Sequence, residues 1–535
     1  MESANSVVDA GAQTSLEAPI GLVRASVTHR SWTTELAEWA ALAGVLVVGA
    51  VLRLWLINAH GYNSDEAVYA GQAAGIVGDP TLQPYFPVFR AHPLLFQFLL
   101  AVAFSGGVVD VVGRYVAVAV GLATIYLAFL TGSLMYGRRA GLLAAFFLAV
   151  MPYHVIVTRQ VLLDGPMALT ATLALYLFAR HARTQRAAWF FAGAGAIGLA
   201  FETKETAIIL IAAVYAYLAL SPEIHVRLRD LVAGVASLAL IILPFPMSLL
   251  LAGGGGAART QQYLVWQLLR RPNHDLLFYP AVVPPAIGPL LIVTAIAGLI
   301  LLRGQLGWRE RLLGSWAVIP LVFFEIWPVK GFQYPILIAP ALCILAGAGL
   351  VRLGSSAKLR VRSLTLNPRP VAAIAAAGIA VSLFVPSVGA VTPSSTGEFL
   401  AGSGGVPGGR EVGAWIRDNV PPGGQLLAIG PSMANIVQFY GHRRAYGLSV
   451  SSNPLHRNPS YDPIPNPDLL IRSNSLQYLV WDSYSGSRST FFAEALLRFV
   501  HRYHGRAVYT YTLDVRNGAG QVEAKPVIVV YEVRP

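Results

Sequence analysis

Long apolar runs constrain this chain more than anything else in it. Twelve such stretches lie at residues 37–57, 94–112, 115–136, 140–151, 166–179, 188–201, 207–220, 231–251, 285–302, 312–327, 335–351 and 371–388. A helix needs about 20 apolar residues to cross a bilayer. Several runs fall short of that, and Pro and Gly punctuate many, as helices packed against other helices tolerate. Of the 535 residues, 55% are hydrophobic and only 12% charged, whereas soluble domains carry about 25% charged residues. The chain therefore reads as a polytopic α-helical membrane protein of about 11–13 spans, with the count left open around residues 94–151.

The basic residues lie between the apolar runs, so the net charge of +12 is the signature of cytoplasmic loops and not of a nucleic-acid partner. Clusters at Arg180–Arg186, Arg227–Arg229, Arg303–Arg311 and Arg352–Arg369 can all face the cytoplasm at once if the N-terminus does. The loops 58–93 and 253–284 and everything after residue 388 are then outside. Residues 1–32, polar and Ser-rich, are expected to form a disordered cytosolic tail and not a signal peptide. Residues 33–391 form the transmembrane domain. Residues 392–409 are a Ser- and Gly-rich linker. Alternating strand and helix patterns make 410–535 a small extracytoplasmic α/β domain. The single Cys343 allows no disulfide or thiolate metal cage within one chain.

Charged residues at membrane edges are costly unless solvated, paired or functional. The stretch Asn63-Ser64-Asp65-Glu66-Ala67-Val68-Tyr69 places two carboxylates just past the first apolar run, in a loop rich in aromatic residues. Arg90 and His92 follow, ahead of Pro93, where a helix N-terminus would suit an anion. Arg159 and Asp164 stand five apart before a span and could pair with each other. Glu202, Lys204 and Glu205 interrupt two runs with almost no loop, and Lys330 lies close to Tyr334. Each has a bland reading as a solvated, paired or snorkelling side chain. The sharper one is that they share a single external cavity. HExxH and P-loop patterns are absent.

In order, Asp65-Glu66-Ala67 with Tyr69, His92-Pro93-Leu94, Arg114, Tyr136-Gly137-Arg138-Arg139-Ala140-Gly141, Pro152 with Arg159 and Asp164, Gly198-Leu199-Ala200 with Thr203-Lys204-Glu205, and Lys330-Gly331 with Tyr334 and Pro335 resemble the GT-C membrane glycosyltransferases. The likeness is to the dolichyl-phosphate-mannose protein mannosyltransferase and aminoarabinose transferase group, over residues 37–350. Leu94 stands where that pattern usually has a second Pro. The resemblance implies an inverting transfer of a sugar from a polyprenyl-phosphate carrier to an acceptor hydroxyl of protein, lipid or glycan. It implies this at the outer face of the plasma membrane, without nucleotide sugar, cofactor or predicted metal. A carboxylate would serve as general base, with Asp65 as the choice and Glu66 or Asp164 supporting it. The leaving phosphate would need cations, with Arg90, His92, Arg159, Lys204 and Lys330 as candidates beside Tyr334. Two alternatives stay open: a transporter or flippase of lipid-linked sugars, and an oligosaccharyltransferase-like enzyme. For the latter, Val480-Trp481-Asp482-Ser483-Tyr484 resembles part of a Trp-Trp-Asp-Tyr-Gly signature.

Overall fold

The computed structural model describes residues 32–252, 254–270, 272–302, 306–356, 359–361, 364–392, 406–516, 518 and 520–535. Two compact units divide the chain after residue 40, and the second, residues 41–535, holds all of the candidate site residues. Residues 1–31 of the expected tail and 393–405 of the expected linker lie outside the described residues.

Helices carry the apolar runs. The first group is α1 (Trp32–Leu54), α2 (Ser64–Val77), α3 (Leu95–Ala103), α4 (Asp110–Tyr136), α5 (Arg138–Val150), α6 (Pro152–Val157), α7 (Asp164–Thr184), α8 (Ala187–Thr203) and α9 (Ile209–Leu220). The second is α10 (Leu228–Ile242), α11 (Pro244–Ala252), α12 (Gly254–Leu269), α13 (Phe278–Ile287), α14 (Pro289–Leu302), α15 (Trp308–Ile326), α16 (Ala339–Ser355) and α17 (Pro368–Val391). Among the described residues, five helical stretches are long and apolar enough to cross a bilayer, or six if the bent pair α13–α14 is one span. The apolar runs alone predict more, and the difference lies in breaks. Pro152 stops α5 after 13 residues, α13 and α14 meet at 91° around Gly288, and Lys204 adopts an extended conformation between α8 and α9. The stretch left open in the sequence resolves into short α3, the 27-residue α4 and short α5. Where α4 meets α5, a Cβ on Gly132 would stand 2.9 Å from the Gly141 Cα, so glycine is what allows the backbones to approach this closely.

The loop 58–93 is folded around α2. Asn63 caps that helix, its side chain accepting from the amides of Asp65 and Glu66 while the Glu66 carboxylate accepts from the Asn63 amide. This reciprocal box satisfies donors the first helical turn would otherwise leave unpaired. At the far end Gly78 takes the left-handed conformation that closes helices. The rest of the loop folds back so that the Phe86 ring lies on Gly71, where any Cβ would collide with it. Tyr62, Phe86, Phe104, Val161 and Phe439 pack together in one buried apolar cluster. That cluster ties the loop to the C-terminal segment.

The C-terminal segment adds α18 (Gly409–Asn419), α19 (Pro431–Gly441), α20 (Pro467–Arg472), α21 (Ser483–Arg488) and α22 (Thr490–Arg502). A two-stranded ladder, β1 (Leu359–Val361) and β2 (Leu364–Leu366), precedes it. Its own strands are β3 (Gln425–Ala428), β4 (Ala445–Gly447), β5 (Leu476–Asp482), β6 (Arg506–Arg516) and β7 (Val522–Glu532), in spatial order β4-β3-β5-β7-β6. The β3–β4 and β3–β5 pairs are parallel, as crossover helices require; β5–β7 and β6–β7 are antiparallel. The architecture is thus a polytopic helical membrane protein with a small C-terminal α/β sheet.

Candidate active site

Asp65 sits in the first turn of α2. Its side chain meets solvent, yet protein surrounds it closely, so it lines a recess and not an outer surface. Burial raises the Asp65 carboxyl above its ordinary value, opposed by Lys204 and reinforced by Asp164. Among the described residues no donor is hydrogen-bonded to its carboxylate oxygens; only its backbone amide is engaged, by Asn63. An acid with open oxygens and a raised affinity for a proton is what a general base requires.

Across the recess stands a buried ion pair. The Lys204 ammonium donates to Asp164 Oδ1 at 2.7 Å, both side chains being almost fully buried. It also lies 4.0 Å from the centre of the Tyr334 ring. The chain places these groups by its breaks: Asp164 opens α7, Lys204 ends α8, and Tyr334 begins a short 3-10 turn ahead of α16. An ammonium carries three donors, and one is spoken for.

His92 closes another side. Its Nδ1 is 2.8 Å from Glu205 Oε2, and its Nε2 is 3.4 Å from the Tyr263 hydroxyl. Tyr69 and Tyr263 both set their rings edge-on to the imidazole. Arg90 is buried, its guanidinium 5.3 Å from the Tyr461 ring centre, and Asp65, Tyr69 and Asp462 all lie within its electrostatic reach. Lys330 is buried as well. Its ammonium pairs with Glu325 at 3.2 Å and lies 5.3 Å from the Tyr279 ring. Asn273 holds the Lys330 backbone from both sides, at 2.7 and 2.8 Å.

Two of the sequence candidates go elsewhere. Glu66 faces away from Asp65, and its four acceptor positions are filled. Oε1 accepts from Arg114 Nε (2.9 Å) and the Val161 amide (3.1 Å), Oε2 from Arg114 Nη2 (2.7 Å) and the Asn63 amide (3.0 Å). A carboxylate so occupied has no oxygen left for an acceptor. Arg159 likewise turns from the recess and donates to the Trp55 carbonyl at 2.7 Å. The charged groups it interacts with are Arg53, Arg114 and Glu66. The pairing of Arg159 with Asp164 that their spacing allows is not made; Asp164 takes Lys204 instead.

The structure adds residues the motifs do not supply. Tyr263 and Arg270 come from the far end of α12, within a stretch whose sequence reads as loop. Arg270 stacks over Trp266 and lies within reach of Tyr263, Tyr334 and Tyr461. No acidic partner for it occurs among the described residues. Trp481 and Asp482 lie at the end of β5, where Asp482 Oδ1 caps α21 by accepting from the Ser485 amide at 2.6 Å. The following Tyr484 reaches the field of Asp65. Among the described residues no three of His, Cys, Asp and Glu converge as a metal-holding group.

Residues 91–249 match the family model described as dolichyl-phosphate-mannose-protein mannosyltransferase. No curated protein matches the chain. Among solved structures, ArnT from Cupriavidus metallidurans bound to undecaprenyl phosphate shares 16% identity and a TM-score of 0.63, over 94% of this chain and 98% of that one. Its apo state gives 15% and 0.66 over the same shares. The oligosaccharyltransferase AglB from Archaeoglobus fulgidus, in complex with an inhibitory peptide and a dolichol-phosphate, gives 11% and 0.58 over 92% of this chain and 74% of that one. The chain is thus an integral membrane protein with the fold of the GT-C membrane glycosyltransferases, similar to the protein mannosyltransferase and ArnT-like group.

Proposed function

We propose that the protein transfers a sugar from a polyprenyl-phosphate carrier to an acceptor hydroxyl at the outer membrane face, with inversion. The observation that carries this reading is the open Asp65 carboxylate across from the Asp164–Lys204 pair. Asp65 takes the acceptor proton as the hydroxyl oxygen attacks the anomeric carbon. The sugar–phosphate bond breaks on the opposite side, and the carrier phosphate leaves as an anion, so it needs cations and no general acid. Lys204, with two donors to spare, and Arg270 meet that charge; His92 and Tyr334 shape the recess, and Asp164 fixes the ammonium. Lys330 and Arg90 flank the reaction centre as further buried cations. Fixed charges in a poorly hydrated recess act more strongly than in water and need not reorganise during reaction.

The orientation is argued from the basic clusters between spans, which favour an N-terminus in the cytoplasm and a plasma-membrane location. The C-terminal α/β segment and the recess are then extracytoplasmic. The undecaprenyl phosphate seen with ArnT and the dolichol-phosphate seen with AglB support a lipid-linked donor. A flippase or transporter would be expected to place its charges near the bilayer midplane between repeats, whereas here they gather around loop 58–93.

The test is to incubate the purified protein with labelled polyprenyl-phosphate sugars and membrane fractions. Label moving into protein, lipid or glycan supports transfer. Label crossing a proteoliposome bilayer with its carrier bond intact would replace this reading with transport. Chelation is expected to leave the rate unchanged, because side-chain cations meet the phosphate charge; loss restored by a divalent ion would overturn that part.

A further inference from the structure

Beside the recess lies a second cavity of about 270 Å³, walled by loop 58–93, α12 and the C-terminal segment. Three guanidinium groups line it, Arg90, Arg259 and Arg444, against the single carboxylate of Asp462. Arg259 approaches Asp462 at 3.5 Å and Arg444 at 3.9 Å, with the Asp462 side chain half exposed between them. Arg90 is different. It is only 7% exposed, and among the described residues no carboxylate comes within 4 Å of it. Its polar contact is a 3.5 Å approach to the Asn435 carbonyl oxygen, supplemented by the face of Tyr461. Its own backbone carbonyl accepts from the Ser460 hydroxyl, which holds the 460–462 loop against it.

A buried charge is stabilised by an opposite charge or by several hydrogen bonds. Arg90 has no ion pair within 4 Å among the described residues and one long hydrogen bond, with Asp65 and Asp462 acting only at a distance, and the cavity it borders carries three positive groups for one negative. Planar guanidinium forks match the oxygens of phosphate and carboxylate. Asp65 also lies within the electrostatic reach of Arg90, so whatever occupies this cavity adjoins the proposed base.

We infer that the Arg90–Arg259–Arg444 cavity binds an oxyanion, a phosphate or carboxylate carried by the acceptor, and so presents the acceptor's hydroxyl to Asp65. This rests on the proposed transfer reaction for its direction, though not for the existence of the site. The acceptor is then acidic, and the 460–462 loop together with α19 selects it.

Binding of inorganic phosphate and of polyprenyl phosphate to the full-length protein in detergent tests this by calorimetry. The exposed Arg259 and Arg444 are the ones to change, since Arg90→Gln alone could cost the fold. Arg259→Gln/Arg444→Gln is expected to weaken inorganic phosphate about tenfold or more, as loss of charge-assisted contacts does, while polyprenyl phosphate binds as before. Phosphate affinity unchanged in the double variant overturns the site. A matching fall in polyprenyl-phosphate affinity assigns the cavity to the donor and overturns the acceptor role. Neither readout requires turnover, so failure here stays separate from failure of the transfer reaction, which the Asp65→Asn variant tests.

Discussion

Around Glu66 every acceptor position is filled, and Arg114 opposite it spends its five donors on Glu66 and on the carbonyls of Ile57, His60 and Gly61. Around Asp65, one residue earlier, no donor among the described residues is hydrogen-bonded to the carboxylate, which lies in the fields of Lys204, Asp164 and His92. Helical spacing turns adjacent side chains about 100° apart, so one first turn of α2 delivers a carboxylate to each environment. The contrast separates two uses of a costly charge. The saturated buried pair fixes the loop, and the open carboxylate is the one the proposed reaction uses. Fold and chemistry are thus built from the same helix start, by neighbours that cannot exchange roles.

The largest effect that would break this contrast is on turnover. Asp65→Asn is expected to lower transfer at least about a thousandfold, within the range for loss of a general base, with expression, thermal midpoint and donor binding preserved. Because burial raises the Asp65 carboxyl, the acid limb of the kcat/KM profile should lie above the usual carboxylate range. Activity rises with pH through that limb as the base becomes ionised. A wild-type rate in the variant, or a limb that persists in it, would move the proton elsewhere.

Glu66→Gln should fail in the opposite manner. It leaves Arg114 buried without its counter-charge, a loss of about 3–5 kcal/mol for a broken buried pair. The expected readout is a lowered thermal midpoint and poor recovery from membranes, with near-normal kcat in whatever remains folded. Normal stability together with lost activity would make Glu66 a partner of Asp65 after all.

Lys204→Ala sharpens the comparison from the other wall of the recess. It is expected to weaken polyprenyl-phosphate binding about tenfold to a hundredfold, the scale of one or two charge-assisted hydrogen bonds. Asp164→Asn, which keeps the shape but frees the ammonium, should change the rate more than the affinity. Equal donor affinity in wild type and Lys204→Ala would remove the ammonium from the phosphate site.

Much of this is legible in the chain. The apolar runs dictate a helical membrane protein, and the positions of Asp65, His92, Asp164, Lys204 and Tyr334 in sequence already name the members of one recess. Glu66 does not join them, although the signal against it is present: Asn63-x-x-Glu66 has the spacing of a capping box, which marks a carboxylate turned back on its own helix. Arg159 carries no comparable sign, because its partner is a backbone carbonyl 104 residues away. Tyr263 and Arg270 are hidden for another reason. The stretch 253–270 begins with a run of glycines, which reads as a breaker, yet the tertiary fold makes most of it helical and aims its far end at His92. Contacts across that distance leave no periodicity to read.

Asp482 offers a case between Glu66 and Asp65, and the smallest effect. Oδ1 is used by the Ser485 amide while Oδ2, buried, has no hydrogen-bond partner among the described residues. Burial raises its carboxyl from 3.8 to about 6. The folded protein therefore holds a proton there that the unfolded chain has already released, so ionisation of Asp482 opposes folding as pH rises from about 4 through about 6. Between pH 5 and pH 7 the stability lost at this residue should be about 1 kcal/mol. Asp482→Asn cannot ionise and keeps the Oδ1 cap, so the difference in thermal midpoint between variant and wild type should drift in the variant's favour over that interval. A difference that stays flat with pH would mean that Asp482 is ionised at no cost, and that a half-satisfied buried carboxylate in this fold behaves like the saturated Glu66.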